Sequence, residues 1–167
     1  MPRIKHAVPS AAVGLAALLL CAYPASATGD TDPSTKPGRE EIIELVAKTT
    51  QNRFIDVDPS GPSQGDQFIN SGDLFRDGEE VGTYGEVCTL TRTAPGDEFD
   101  LQCLATFSLP KGDLTVQGRF TVTGDGPEDD INFAITGGTE KYRTARGFVR
   151  ADNTSETESE LTVHLVY

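Results

Sequence analysis

Between residues 113 and 122 the chain alternates, with Leu114, Val116, Phe120 and Val122 apolar and Thr115, Gln117, Arg119 and Thr121 polar. A period of two places the apolar set on one face of an extended strand. The same rhythm carries Ile131, Phe133 and Ile135, and again Leu161, Val163 and Leu165. Strand-like runs recur along the chain: NRFIDV, GDQFINSGDLF, VGTYGEVCTLTRT, FDLQCLATFSL, DLTVQGRFTV, INFAITGG, RGFVRAD and ELTVHLVY. Their connections are short and rich in Gly, Pro and Asp, as in Pro110-Lys111-Gly112-Asp113, which suits hairpins. The pattern predicts an all-β, antiparallel domain, and eight such runs are close to what a small closed barrel requires. One segment stands apart, because EEIIELVAK has good helix formers and reads equally as a short N-terminal helix.

The N-terminus has a different pattern. Arg3 and Lys5 precede the apolar run AAVGLAALLLCAY, which ends in Ala25-Ser26-Ala27. This is the layout of a secretory signal peptide cut after Ala27. The apolar run is shorter than the roughly 20 residues that span a bilayer, and no second run follows. Cys21 follows Leu20, whereas a lipid-modified cysteine would follow a small residue, so Cys21 is expected to leave with the leader. Thr28 to Arg39 is polar, contains proline and lacks apolar periodicity, as a disordered tether would. The expected organisation is a signal peptide at 1–27, a linker at 28–39 and one β domain at 40–167.

Cleavage removes two of the 14 Lys and Arg and none of the 26 acids, leaving a mature charge of about −14. That sign repels phosphates, so nucleic acid and anionic membrane surfaces are excluded as partners. Only Cys88 and Cys103 remain, in the two runs joined by Ala94-Pro95-Gly96-Asp97-Glu98. A hairpin centred between Pro95 and Gly96 puts them opposite each other, and export permits a disulfide worth about 3 kcal/mol by loop closure. A metal or reactive-thiol pair is disfavoured because no His or third Cys lies near them. His164 is the single mature histidine, on the more polar face of the last run, and no signature supports a Ser-His-Asp triad. No phosphate-binding glycine loop, internal repeat or metal-ligand cluster is present.

The stretches LTVQGRFTV and FAITGGTEKYRTARGFVR resemble the end of the allene oxide cyclase barrel, and GGTEKYRTARG is similar to a glycine-tyrosine-arginine motif of dirigent proteins. Upstream, GDQFINSGDLF and VGTYGEVCTLTR resemble the corresponding strands of bacterial barrels in this superfamily. The resemblance covers Gly65 to Arg150. It implies an eight-stranded antiparallel up-and-down barrel with a lumen for a small apolar molecule, often in a dimer or trimer. It also makes ELVAKTT the first strand. Family members steer ring closure or coupling of reactive intermediates, including cycloadditions in bacterial antibiotic pathways, and need no metal or organic cofactor.

Residue by residue, the resemblance aligns the family's first-strand Glu with Glu44 and its pocket cysteine with Cys88. It places Val46 and Gly72 where pocket asparagines stand, which argues against allene oxide cyclisation itself. Glu140 stands where the dirigent motif usually has a third glycine, and Tyr142, Arg143 and Arg146 read as turn and surface residues. If Cys88 faces the lumen, alternation turns Tyr84, Glu86, Leu90 and Arg92 inward as well. Glu86 would then pair with Arg92 or have its pKa raised by desolvation, as a general acid or base would. The expected catalytic set is Glu86, Glu44 and Tyr84, and the expected ligand contacts are Cys88, Leu90, Arg92 and Phe107. The expected function is a cofactor-free cyclase or isomerase of dirigent type, in natural-product biosynthesis. The alternatives are a secreted binding protein for an apolar metabolite, or a structural barrel filled by its own side chains.

Overall fold

EEIIELVAK is extended, not helical. It forms the first half of β1, Glu40–Ile55, which also absorbs NRFI. Residues 40–48 pair with the last strand and residues 46–55 with the second, so β1 is hydrogen-bonded along its length. Two rows of ladder bonds and the burial of Ile43, Leu45 and Ala47 outweigh helix propensities that differ by only tenths of a kcal/mol per residue. The computed structural model describes residues 38–124, 126–127 and 131–167. The expected leader and all but the end of the linker lie outside the described residues.

The remaining strands are β2 (Gln67–Arg76), β3 (Glu79–Ala94), β4 (Glu98–Leu109), β5 (Gly112–Thr123), β6 (Gly126–Pro127), β7 (Ile131–Gly138), β8 (Arg146–Asn153) and β9 (Glu158–Val166). Every neighbouring pair is antiparallel. The ring runs β1-β2-β3-β4-β5-β7-β8-β9 and closes on β1, with β6 a two-residue stub on β5. This is the closed eight-stranded barrel that the alternation predicts, and closure gives each of the eight strands a hydrogen-bonded neighbour on both sides, although β5 and β7 pair over only four residues each.

Two extra residues set the register on which the lumen depends. The β2–β3 hairpin turns through Asp77 and Gly78, both with positive φ, pairing Arg76 with Glu79. Val81 is then unmatched, because Phe75 pairs with Glu80 but Leu74 pairs with Gly82. In the next hairpin Ala94 pairs with Glu98 around Gly96, and Thr91 is the unmatched residue between Leu90–Leu101 and Arg92–Asp100. The turn is thus centred on Gly96, half a position later than the cysteine spacing suggests, and the bulge restores the Cys88–Cys103 pairing. The two sulfurs are bonded, with Cα atoms 4.0 Å apart.

At one end of the barrel a short 3₁₀ turn, Glu140–Tyr142, carries buried Tyr142, which borders a second, smaller cavity of about 130 Å³ with Ile43 and Leu45. Lys141 reaches Glu41 at 2.8 Å, and the Tyr167 hydroxyl donates to the same carboxylate at 3.2 Å. Gly138 is required here, since a Cβ would lie 2.7 Å from the carbonyl oxygens of Asp113 and Tyr142. On the outer wall Asp100 is fully buried and accepts from Arg92, Arg119 and Thr121.

Candidate functional site

Alternation on each strand sends one set of side chains inward, and toward the end opposite Tyr142 they do not meet. They leave a cavity of about 550 Å³ along the barrel axis. A volume above roughly 300 Å³ is in the range of small-molecule sites, so the reading of a lumen filled by its own side chains is corrected. Phe107, Phe120 and Phe133 form an aromatic wall from β4, β5 and β7, with Phe120 and Phe133 edge to face at 6.2 Å. The β8–β9 connection and the strand ends beside it, Asn153 through Ser159, rim the cavity. It is tied to β1 by the Thr49 amide, which donates to the Thr157 carbonyl at 2.8 Å.

The polar groups gather on the opposite wall, from β1, β2 and β3. Thr49 Oγ1 and the Tyr84 hydroxyl lie 2.6 Å apart. Asn70 Nδ2 donates to Glu86 Oε2 at 3.2 Å. Tyr84 and Glu86 share a face two residues apart, and both line the cavity. Burial pushes the Glu86 carboxyl above the ordinary glutamate range, against the smaller pull of the Asn70 hydrogen bond. Burial also pushes the Tyr84 phenol up, while the Thr49 hydrogen bond pulls it down. A carboxyl so placed holds its proton more firmly than one in water and can donate it to a bound oxygen or nitrogen.

Of the residues singled out by sequence, Glu86, Tyr84, Cys88 and Phe107 line the cavity. Leu90 faces inward but is buried in the core, away from the lining. Two placements are corrected. The bulge at Thr91 breaks the alternation, so Arg92 is directed to Asp100 and Glu98 and not to Glu86. Glu44 is exposed on the outer face and accepts from Thr162 Oγ1 at 2.9 Å. Period-two reading of Ile43, Leu45 and Ala47 already puts Glu44 on the other face.

Thr49, Asn70, Phe68 and the 153–159 rim were not anticipated. Phe68 and Asn70 lie two apart on β2, a signal that alternation offers, whereas the rim has no local signature. His164 lies on the outer face, stacked on Phe148 at 4.3 Å. Glu86, Cys88 and Cys103 bring possible metal-ligand atoms within 4.8 Å of one another. With both sulfurs in the disulfide, that donor set is reduced to one carboxylate, too few to hold a metal.

Comparison with known proteins agrees with this geometry. The solved structure of a pyocyanin demethylase is 26% identical, with a TM-score of 0.63, and the match covers 74% of this chain and 99% of that one. An exo-specific intermolecular Diels–Alderase is 13% identical with a TM-score of 0.59, over 77% and 98% of the two chains. A pterocarpan synthase dirigent protein is 17% identical with a TM-score of 0.60, over 80% and 88%. The last two likenesses are of fold. No curated protein matches in sequence. The family model of the allene oxide cyclase barrel-like domain matches residues 43–166, nearly the whole described barrel, and the chain therefore belongs to that family.

Proposed function

We propose that the lumen binds a small, mainly apolar molecule and steers its ring closure or stereochemistry, with Glu86 as the acid or base and Tyr84 as a hydrogen-bonding partner. The observation that carries this reading is a half-buried carboxyl with a raised pKa at the wall of a 550 Å³ aromatic cavity. A flexible reactive substrate held in one folded shape has already lost the entropy that opposes ring closure. Glu86 and Tyr84, preorganised where little water competes, would stabilise charge that develops during the step. The Diels–Alderase and dirigent proteins of the same fold favour a cyclising or stereocontrolling reaction in natural-product biosynthesis. The pyocyanin demethylase likeness adds a second small-molecule chemistry to assay. The leader-like N-terminus and the disulfide both favour an exported protein.

Native mass spectrometry of the protein purified from its own culture medium, before and after organic extraction, tests the reading. The expected result is a co-purifying metabolite, lost on extraction, whose precursor is converted by the wild type and not by Glu86→Gln. Binding without turnover would leave a carrier in place of an enzyme. An empty protein that ignores lipids, polyenes and phenolics would overturn the reading.

A further inference from the structure

The charges around the lumen are one-sided. Three carboxylates line it, Glu86 on the wall and Glu156 and Glu158 at the rim, and among the described residues no Lys, Arg or His does. Lys48 meets Glu158 at 3.3 Å from the outer face of β1, so that rim carboxylate is already paired, and Arg92 and Arg119 are bound to Asp100 on the outer wall. Glu86, hydrogen-bonded to the neutral Asn70 amide, is the wall carboxyl for which no ion pair is seen among the described residues. A carboxylate-bearing ligand would enter with no counter-charge and face Glu86 across a poorly screened interior. A neutral ligand would leave the Glu86 carboxyl without a charge partner and favour its protonated form, whereas a cation would favour the carboxylate.

The aromatic groups point the same way. Phe68, Phe107, Phe120, Phe133 and Tyr84 all border the cavity. Aromatic faces attract cations, most strongly when the cation is desolvated. A hard ammonium is costly to strip of water, whereas a ring cation or quaternary ammonium spreads its charge over apolar surface and enters at little cost. Such a cation would meet aromatic rings on one side and the Glu86 carboxylate on the other.

We propose that the lumen selects a positively charged ring compound, an aromatic cation or a cyclic quaternary ammonium, over neutral and acidic molecules of the same shape. This rests on the reading of the lumen as a ligand site and names the class of ligand. It differs from the apolar ligand that the family resemblance implies, because here Glu86 is the counter-ion of the ligand.

Three probes of nearly one shape test it: 1-methylquinolinium, 1-methylnaphthalene and 1-naphthoate, titrated into the full-length mature protein and followed by ligand-observed NMR. The cation is expected to bind at least tenfold more tightly than neutral 1-methylnaphthalene, and the anion not to bind. Glu86→Gln should remove most of that preference while leaving the neutral probe unchanged or stronger. Glu44→Gln, which removes an exposed outer carboxylate, should leave all three affinities unchanged and so separates lumen binding from general attraction to an acidic protein. Equal or better binding of the neutral or anionic probe would overturn the inference and leave the lumen a ligand site. Equal losses in both variants would also overturn it. No binding of any probe, with no co-purifying metabolite, would overturn the inference and the functional reading together.

Discussion

Asn70 and Glu86 face each other across β2 and β3, with the Asn70 amide donating to the Glu86 carboxyl at 3.2 Å inside an otherwise largely apolar lumen. The hydrogen bond favours the ionised form, while burial favours the protonated one and dominates. Replacing Asn70 with leucine, similar in volume and without a donor, removes the opposing contribution. Carboxyl-carbon NMR titration of Glu-labelled protein should place Glu86 above 4.5 in the wild type and higher still in Asn70→Leu. A wild-type midpoint at or below 4.5 would contradict the burial argument.

Glu140 occupies the left-handed region with φ 46°, at the position where the dirigent motif usually carries glycine. A side chain there costs about 1 kcal/mol that glycine avoids. Glu140→Gly should therefore stabilise the fold by about 1 kcal/mol, raising Tm by roughly 3–6 °C in thermal unfolding. An unchanged or lowered Tm would mean that the turn gains from the glutamate something the left-handed backbone does not reveal.

The barrel was legible in the sequence because alternation is a local signal, and β4, β5, β7, β8 and β9 follow it closely. β1 was ambiguous, since what makes it a strand is its pairing with β2 and β9, at opposite ends of the chain. The site was less legible for a different reason. Reading outward from the Asp77-Gly78 turn, Asn70 would fall opposite Gly85, and only the extra residue Val81 brings it to Glu86. Likewise the Thr91 bulge turns Arg92 away from the lumen where simple alternation points it inward. A single inserted residue reverses every face beyond it, and no residue type at 81 or 91 announces the insertion.

The disulfide spans a separation of 15 residues and sits within the hydrogen-bonded β3–β4 ladder. Loop closure of that length contributes about 3 kcal/mol, largely by constraining the unfolded chain. Cys88→Ala/Cys103→Ala should lower Tm by roughly 10 °C while keeping the β-sheet circular dichroism spectrum, because the ladder bonds on either side remain. Loss of the sheet signal at room temperature would show that the disulfide is needed to form the barrel and not only to stabilise it.

Asp100 and Glu86 should give stability opposite dependences on pH. The hydrogen bonds from Arg92, Thr121 and Arg119 hold the Asp100 carboxyl well below its ordinary value of 3.8. Between the folded and unfolded values the unfolded chain binds the extra proton, so this contribution is present above about pH 4 and is lost as pH falls below it. The Tm gap between wild type and Asp100→Asn should be wide at pH 7, more than about 5 °C with Arg119 left without its carboxylate and Arg92 left with Glu98 alone, and should shrink toward pH 3. For Glu86 the folded value is raised above 4.5, so the folded state binds the extra proton and stability falls as pH rises through the folded value. Glu86→Gln removes the cost of ionising a carboxyl in the lumen while keeping an acceptor for Asn70. The variant should match the wild type at pH 4 and exceed its Tm by a few degrees at pH 7, measured by differential scanning calorimetry across that range. If wild type were the more stable at pH 7, Glu86 would be ionised and well satisfied in the folded state, and the burial argument for its raised pKa would fall.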